Sequence, residues 1–526
     1  MSRARGGELA LVLHTHMPYV EGFGTWPFGE EWIFEAMAGC YLPLLDVLDR
    51  AGGALTLSLT PVLADQLEAA GIGDRFRRFL SEVREESHGR DIAGLREGGH
   101  EELARELERS RDEYRAAGER FDALGGDLLA ALAPHAAWTS AATHAVLPLV
   151  ATDAGARLQI EAGIASHRRR FDAGAGGEGA AAVGWRGGFW LPECAHAPWL
   201  DHLLEEAGVH ATCVDLTDVL GRGDPAQLRP LRSADGPLLV PVDREIVELV
   251  WSDAGYPAHG AYRDYHHHTV HHHRPWDNRG RAYDRARAAA QAREHAADFV
   301  ARASARVAGG GLCVCALDTE LLGHWWHEGP LWLAAVLDEA ARQGLAVTGL
   351  DEGLERHEPI PVADALAGRG PGRSAGALAG REPGRSAGAL AGREPGRSAG
   401  ALAGREAGRS GAVPAQLPVT TWGTPRDLST WSAPPVADLA WRAREAELRV
   451  LRAGREAGAR ALRELLALQS SDWAFMVARE LAGPYPRRRA DGHAAALDEA
   501  LRLGSDAEPA VRNLAPALTA SALVES

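Results

Sequence analysis

Seven short apolar runs, each followed by polar residues, constrain the fold of this chain more than any other feature. They are Glu8–Leu13, Ala54–Leu59, Phe189–Leu191, Ala211–Val214, Leu238–Val242, Leu312–Leu317 and Leu345–Leu350. A strand buried on both faces reads as such a run. Stretches rich in Ala, Leu, Arg and Glu, of helical composition, lie between them. This alternation predicts an α/β fold with parallel strands, either a barrel or a doubly wound sheet. Parallel strands of a barrel all end on one face. Polar residues recur at these ends: His14, His16, Glu193, Asp215, Asp318, and Asp351 with Glu352.

Two of the ends share a context. Gly187-Gly-Phe-Trp-Leu-Pro-Glu-Cys194 carries Glu193 out of an apolar run beside aromatic rings. Leu312–Trp326 does the same with Asp318. Sugars stack on aromatic faces and acetal cleavage needs paired carboxyls, so the two together point to glycoside chemistry. Either carboxylate alone reads better as a helix cap or a surface charge.

Composition narrows the classes. A chain of 526 residues exceeds one small core, which predicts a large catalytic domain and at least one smaller unit. A net charge of −16 argues against a nucleic-acid groove and fits a neutral polymer such as carbohydrate. Cys40, Cys194, Cys213, Cys313 and Cys315 form neither a CxxC pair nor a secretory disulfide framework. Cys313 and Cys315 alternate on a strand pattern and are expected on one face of a reduced core. The N-terminus lacks signal-peptide architecture and no apolar window approaches a membrane span. The expectation is a cytoplasmic protein with no nucleic-acid or membrane partner.

Residues 73–132 are charged and helical, as expected of a helical insertion in a catalytic domain spanning 1–360. From Ala365 a unit of twelve residues repeats, with starts at Ala377, Ala389 and Ala401. Each unit holds a single Leu among several Gly, two Arg and usually a Pro, too little apolar surface to offset the entropy of ordering. Residues 361–415 are therefore assigned to a flexible linker without a catalytic role. Residues 416–526 are assigned to a helical C-terminal domain, with helices expected over Ala437–Leu468 and Ser471–Leu481.

His14 and His16 share a face of an extended segment, so a metal site is physically possible. A catalytic metal wants a third ligand, however, and histidines that hold sugar hydroxyls explain the pair better. The tract Tyr265–His273 holds six His without ligand spacing. No metal is assigned there and no cofactor is expected.

Taken in order, several motifs resemble glycoside hydrolase family 57 and, within it, the 1,4-α-glucan branching enzymes. They are His14-Thr-His-Met-Pro-Tyr19, Trp26–Trp32, Ala142-Thr-His-Ala-Val-Leu-Pro148, Gly188–Cys194 and Leu317–Trp326, then Thr421-Trp-Gly423, Trp431 and Ser470–Phe475. The resemblance implies a distorted (β/α)7 barrel with a helical insertion and an α-helical C-terminal domain. It also implies a retaining transfer of an α-1,4-glucan chain to a 6-hydroxyl, forming an α-1,6 branch. Glu193 would be the nucleophile and Asp318 the general acid/base, with α-glucan as donor and acceptor. His14, His16, His144, Asp472 and Trp473 would line the site. Trp32, Trp325, Trp422 and Trp431 would meet glucosyl rings, and Arg263 and Trp276 would also contact substrate. Every Trp has core packing as its competing explanation. Tyr256, in the Gly-flanked segment Trp251–Gly260, is a candidate lid that keeps water from the intermediate. Other readings are a 4-α-glucanotransferase or amylase on the same site, and a metal-dependent hydrolase or deacetylase built on His14 and His16.

Overall fold

The computed structural model describes residues 6–24, 28–172, 184–367, 417–504 and 513–519. The strand β1 (Glu8–Thr15) is buried along nearly its whole length, as a central parallel strand must be. It pairs in parallel with β2 (Leu55–Leu59), from Leu11 against Leu55 to Thr15 against Leu59. Then follow β3 (Ala136–Ser140) and β4 (Phe189–Trp190), extending the sheet beyond β2. A second sheet holds β5 (Ala211–Val214) and β6 (Leu238–Pro241), also parallel. On the other side of β1 lies β7 (Leu312–Asp318), paired from Glu8 against Leu312 to His14 against Asp318.

Two seams close the ring. A parallel bridge between Gly188 and Ala211 joins β4 to β5. At the other seam the Asp243 amide, just past β6, donates to the Val314 carbonyl of β7 at 2.8 Å. The result is a seven-stranded barrel in sequence order, distorted because both seams hold so few ladder bonds.

Period-two alternation decides what faces inward. Leu9, Leu11, Leu13, Cys313, Cys315 and Leu317 pack against the outer helices. Ala10, Val12, Val314 and Ala316 meet Trp138, Trp190 and Val240 inside the barrel. By the same count His14, Ser58 and Asp318 point inward at the C-terminal mouth. Cys313 and Cys315 share one face, as expected, and all five cysteines are free and buried.

Two strand expectations need correction. The run Leu345–Leu350 supplies only the short strand Ala346–Val347, which pairs with Glu8 and Leu9 outside the ring. Gly349 then starts a helix whose Leu350 amide donates to Thr56 Oγ1 at 2.7 Å. The missing barrel strand is β3, whose sequence Ala-Ala-Trp-Thr-Ser carries no branched aliphatic residue.

The insertion between β2 and β3 contains a helical hairpin, α1 (Glu85–Glu97) and α2 (Glu101–Ala123). Next come α3 (Asp153–Phe171), which packs on β3, and α4 (Arg285–Arg306), which precedes β7. Residues 361–367 continue the folded part with the strand Ile360–Pro361 and the helix Val362–Leu366. The rest of the repeat lies outside the described residues, as does Trp26.

The C-terminal region comprises α5 (Ala437–Ala453), α6 (Gly458–Leu468), α7 (Ser471–Ala478) and α8 (Tyr485–Leu503). The helix expected over Ala437–Leu468 is broken at Gly454 and Gly458, both at positive φ. These helices share an apolar cluster with Ala142, Val146, Leu158 and Ala195 of the barrel side. They therefore dock on the face where the strands end.

Candidate active site

Glu193 sits one turn beyond β4, in the segment Pro192–Cys194, with left-handed backbone angles of φ 61° and ψ 21°. Non-glycine residues rarely adopt this conformation, and it persists only where the surroundings hold it. Here the holding group is a segment that follows the repeat. The Trp422 amide donates to the Glu193 carbonyl at 3.0 Å and the Thr421 hydroxyl donates to the same oxygen at 2.7 Å. The Trp422 indole N–H donates to Glu193 Oε2 at 3.2 Å. His144 is likewise left-handed, at φ 58°.

The histidines form a connected wall. His14 Nδ1 lies 3.2 Å from Ser58 Oγ, and its Nε2 lies 3.0 Å from Nε2 of His144. His144 Nδ1 is 2.8 Å from Ser471 Oγ on α7. His16 stacks on His144 with ring centroids 4.0 Å apart, and its Nε2 meets Asp472 Oδ1 at 3.0 Å. The Trp190 ring backs His14 at 4.6 Å and touches Trp422 edge-on at 5.0 Å. Burial first, and then the neighbouring His16, holds His14 well below the usual histidine range. Burial, His16 and His14 do the same to His144. Both imidazoles are thus neutral near pH 7, and one proton is shared between their facing Nε2 atoms.

The carboxyls behave oppositely to surface acids. Burial pushes Glu193 up to about 8, and the Asp318 charge adds to the rise. Burial pushes Asp318 up to about 7 against the opposing pull of His16. Two such groups keep a proton between them near neutral pH. Trp422 favours the ionised form of Glu193, because a donor to a carboxylate stabilises its charge. Burial also acts on Asp472, but His16 and the Ser470 hydroxyl outweigh it and hold Asp472 ionised. Glu320 accepts from the His16 amide at 3.1 Å and from the Tyr41 hydroxyl at 2.7 Å, and burial pushes it up to about 8.

The structure brings Glu193, Asp318, His14, His16, His144, Trp422 and Asp472 together. Several expected contacts are elsewhere. Trp431 and Trp473 are 2% and 1% exposed in the core of the C-terminal region, where the Trp473 indole donates to the Ala467 carbonyl at 2.8 Å. Trp32 is half-buried against Phe28 and Tyr485. Tyr256 is no free lid tip: it is buried among the outer helices, stacked on His295 of α4 and bonded to Asp298 at 2.7 Å. Arg263 reaches Glu106 of the insertion at 2.8 Å, and Trp276 stacks on His267 at 3.9 Å. Trp325 stays 41% exposed beside Trp251, while the neighbouring Trp326 is buried.

The His-rich segment is an anchor for the insertion. His271 Nδ1 meets Asp91 of α1 at 2.6 Å, and the His273 ring lies 3.6 Å from that of His88.

Site residues missed from sequence are Ser58, Trp190, Glu320 and Ser471. Each had a signal. Ser58 alternates with Leu57 and Leu59, Trp190 and Glu320 flank the two carboxyls, and Ser471 lies inside the motif Ser470–Phe475.

Residues 137–361 match the family model for glycosyl hydrolase family 57, and residues 437–515 match that for the C-terminal region of 1,4-alpha-glucan branching enzyme. A probable 1,4-alpha-glucan branching enzyme of Mycobacterium tuberculosis is 30% identical over 94% of this chain and 91% of its own length. A branching-enzyme crystal structure from Thermococcus kodakaraensis, in complex with glucose, aligns with a TM-score of 0.77 at 25% identity, over 98% of this chain and 96% of that one. The branching enzyme of Pyrococcus horikoshii aligns at 0.75 and 25%, over the same shares. The chain belongs to glycosyl hydrolase family 57, in the group that carries the branching-enzyme C-terminal region.

Proposed function

We propose that this protein is a 1,4-α-glucan branching enzyme acting by retaining double displacement, with Glu193 as nucleophile and Asp318 as general acid/base. The observation that carries the assignment is a pair of partly buried carboxyls delivered to one barrel mouth, Glu193 just past β4 and Asp318 at the end of β7 beside His14, with the Asp318 charge acting on Glu193. Burial raises Glu193 slightly above Asp318, so the reactive form is the one in which their shared proton lies on Asp318. The Trp422 N–H favours that form by stabilising ionised Glu193, which attacks the anomeric carbon of an α-1,4-glucan. Protonated Asp318 gives its proton to the departing 4-oxygen. Asp318, now a carboxylate, takes the proton from an acceptor 6-hydroxyl, which attacks the anomeric carbon and frees Glu193. Two inversions retain the α configuration, and the bond formed is α-1,6. Retention of this kind calls for carboxyls about 5–5.5 Å apart.

Neutral His14 and His144 suit a wall that hydrogen-bonds sugar hydroxyls, since neither competes for the catalytic proton. Ionised Asp472 holds His16 in place. Buried free thiols fit a reducing, cytoplasmic setting. Among the described residues no helix is long and apolar enough to cross a membrane.

Two measurements test the assignment. Trapping the glycosyl-enzyme with a slow fluorosugar donor and mapping the adduct should label Glu193. Label on another side chain would overturn the nucleophile. Incubation with amylose, then debranching and chain-length analysis, should reveal new α-1,6 linkages. Products with only α-1,4 linkages would instead indicate a 4-α-glucanotransferase or an amylase. Activity is expected to survive chelators, whereas metal-dependent loss would support a hydrolase built on His14 and His16.

A further inference from the structure

Glu193 is held by Trp422, and Trp422 is itself held from behind. Asp215 follows β5 and its side chain is fully buried; Arg244 opens the short helix after β6 with a side chain 9% exposed. Arg244 Nε donates to Asp215 Oδ2 at 2.7 Å, and its Nη2 donates to the Trp422 carbonyl. Trp422 thus has its carbonyl on Arg244 and both its N–H groups on Glu193.

We propose that the Asp215–Arg244 pair is a latch that fixes Trp422 against Glu193, setting the nucleophile's position and ionisation through atoms that do not meet the sugar. The inference rests on the nucleophile role of Glu193.

The other ties on this segment lie to either side of Trp422. Thr420 exchanges two backbone bonds with His196, both at 2.9 Å. Arg426 meets Asp218 at 2.6 Å, and Arg479 donates to the Thr424 carbonyl at 2.8 Å. Arg244 is the side chain that grips the residue bearing the indole. A buried ion pair gains little stability over well-packed apolar groups. Its directional bonds can, however, fix a backbone in register, as the fork of a guanidinium does here.

Losing the latch frees the Trp422 carbonyl and leaves Asp215 buried without its partner. The indole N–H then drifts from Glu193 Oε2, and the carboxylate loses a donor. The other groups acting on Glu193 stay in place: Asp318 on β7, Asp472 and Arg479 on or next to α7, and His144 at 3.9 Å. With a donor gone and those charges unchanged, Glu193 holds its proton to higher pH. The acid limb of kcat/KM therefore moves upward.

The test is a cycle of Arg244→Met, Trp422→Phe and the double variant in the full chain, measuring kcat, KM and the pH profile of transfer. Each single variant should move the acid limb up by about one pH unit and lower kcat by about tenfold, with KM nearly unchanged. The double variant should be no worse than the poorer single one, because both act through one bond. Arg244→Lys should restore part of kcat. Should Arg244→Met fold poorly, Asp215→Asn gives the same shift at smaller size. A fall in Tm with an unmoved acid limb, or independent effects that multiply in the double variant, would refute the latch. An adduct on a residue other than Glu193 in the unmodified protein would instead refute the assignment on which it rests.

Discussion

At Glu193 a left-handed backbone turn carries a carboxyl whose charge is disfavoured by burial and by the neighbouring Asp318. In an unfolded chain the carboxyl titrates at its ordinary value, near 4.5, whereas the native one holds its proton up to about 8. Between these values the native state binds more protons, so stability falls as pH rises through the window. Glu193→Gln removes that dependence. It should abolish transfer while raising Tm by roughly 3 °C at pH 8.5, and the gain should vanish near pH 4 in scanning calorimetry. Asp318→Asn should behave alike, its window opening near 3.8 and closing at about 7. A gain that grew towards low pH would contradict the sign. The two carboxyls were legible in sequence because strand ends of one fold share one face. Trp431, Trp473 and Tyr256 were not, since a large ring serves a core as readily as a sugar. Their neighbours decide between the two, and those neighbours come from distant parts of the chain.

Between elements, close approach replaces chemistry as the constraint. Gly188 lies where β4 meets β3, and a Cβ there would collide with the Trp138 indole inside the barrel. Gly188→Ala should therefore cost about 3 kcal/mol or prevent folding, measured by denaturant unfolding. Gly94, on the exposed side of α1, has open space around it. Gly94→Ala should stabilise by about 0.5–1 kcal/mol, through helix propensity alone. Equal effects at the two positions would show that the β3–β4 seam has room for a Cβ against Trp138. Six of the seven barrel strands could be read from apolar runs. The exception was β3, whose burial rests on Trp138 and small residues rather than on branched side chains. Helix α8 also escaped, its Ala, Arg and Asp following no apolar run that marks its start.

Across the whole molecule, Ala365 and Leu417 pack in one apolar cluster although the repeat separates them in sequence. With both ends pinned in one place, the closure cost of the chain between them grows only logarithmically with its length. Deleting residues 377–412 should leave kcat/KM within about twofold and Tm within about 1 °C. A larger loss would give the repeat a role in catalysis or stability. The pinned ends also bear on how the protein is made. A ribosome that has finished β7 has already released Glu193, Asp318 and His14, yet Trp422, Ser471 and Asp472 are still to be synthesised. The nascent barrel therefore carries its acids without the groups that hold them ready. Truncated or half-made chains should be unable to cut glucan, so competence arrives only with the last fifth of translation.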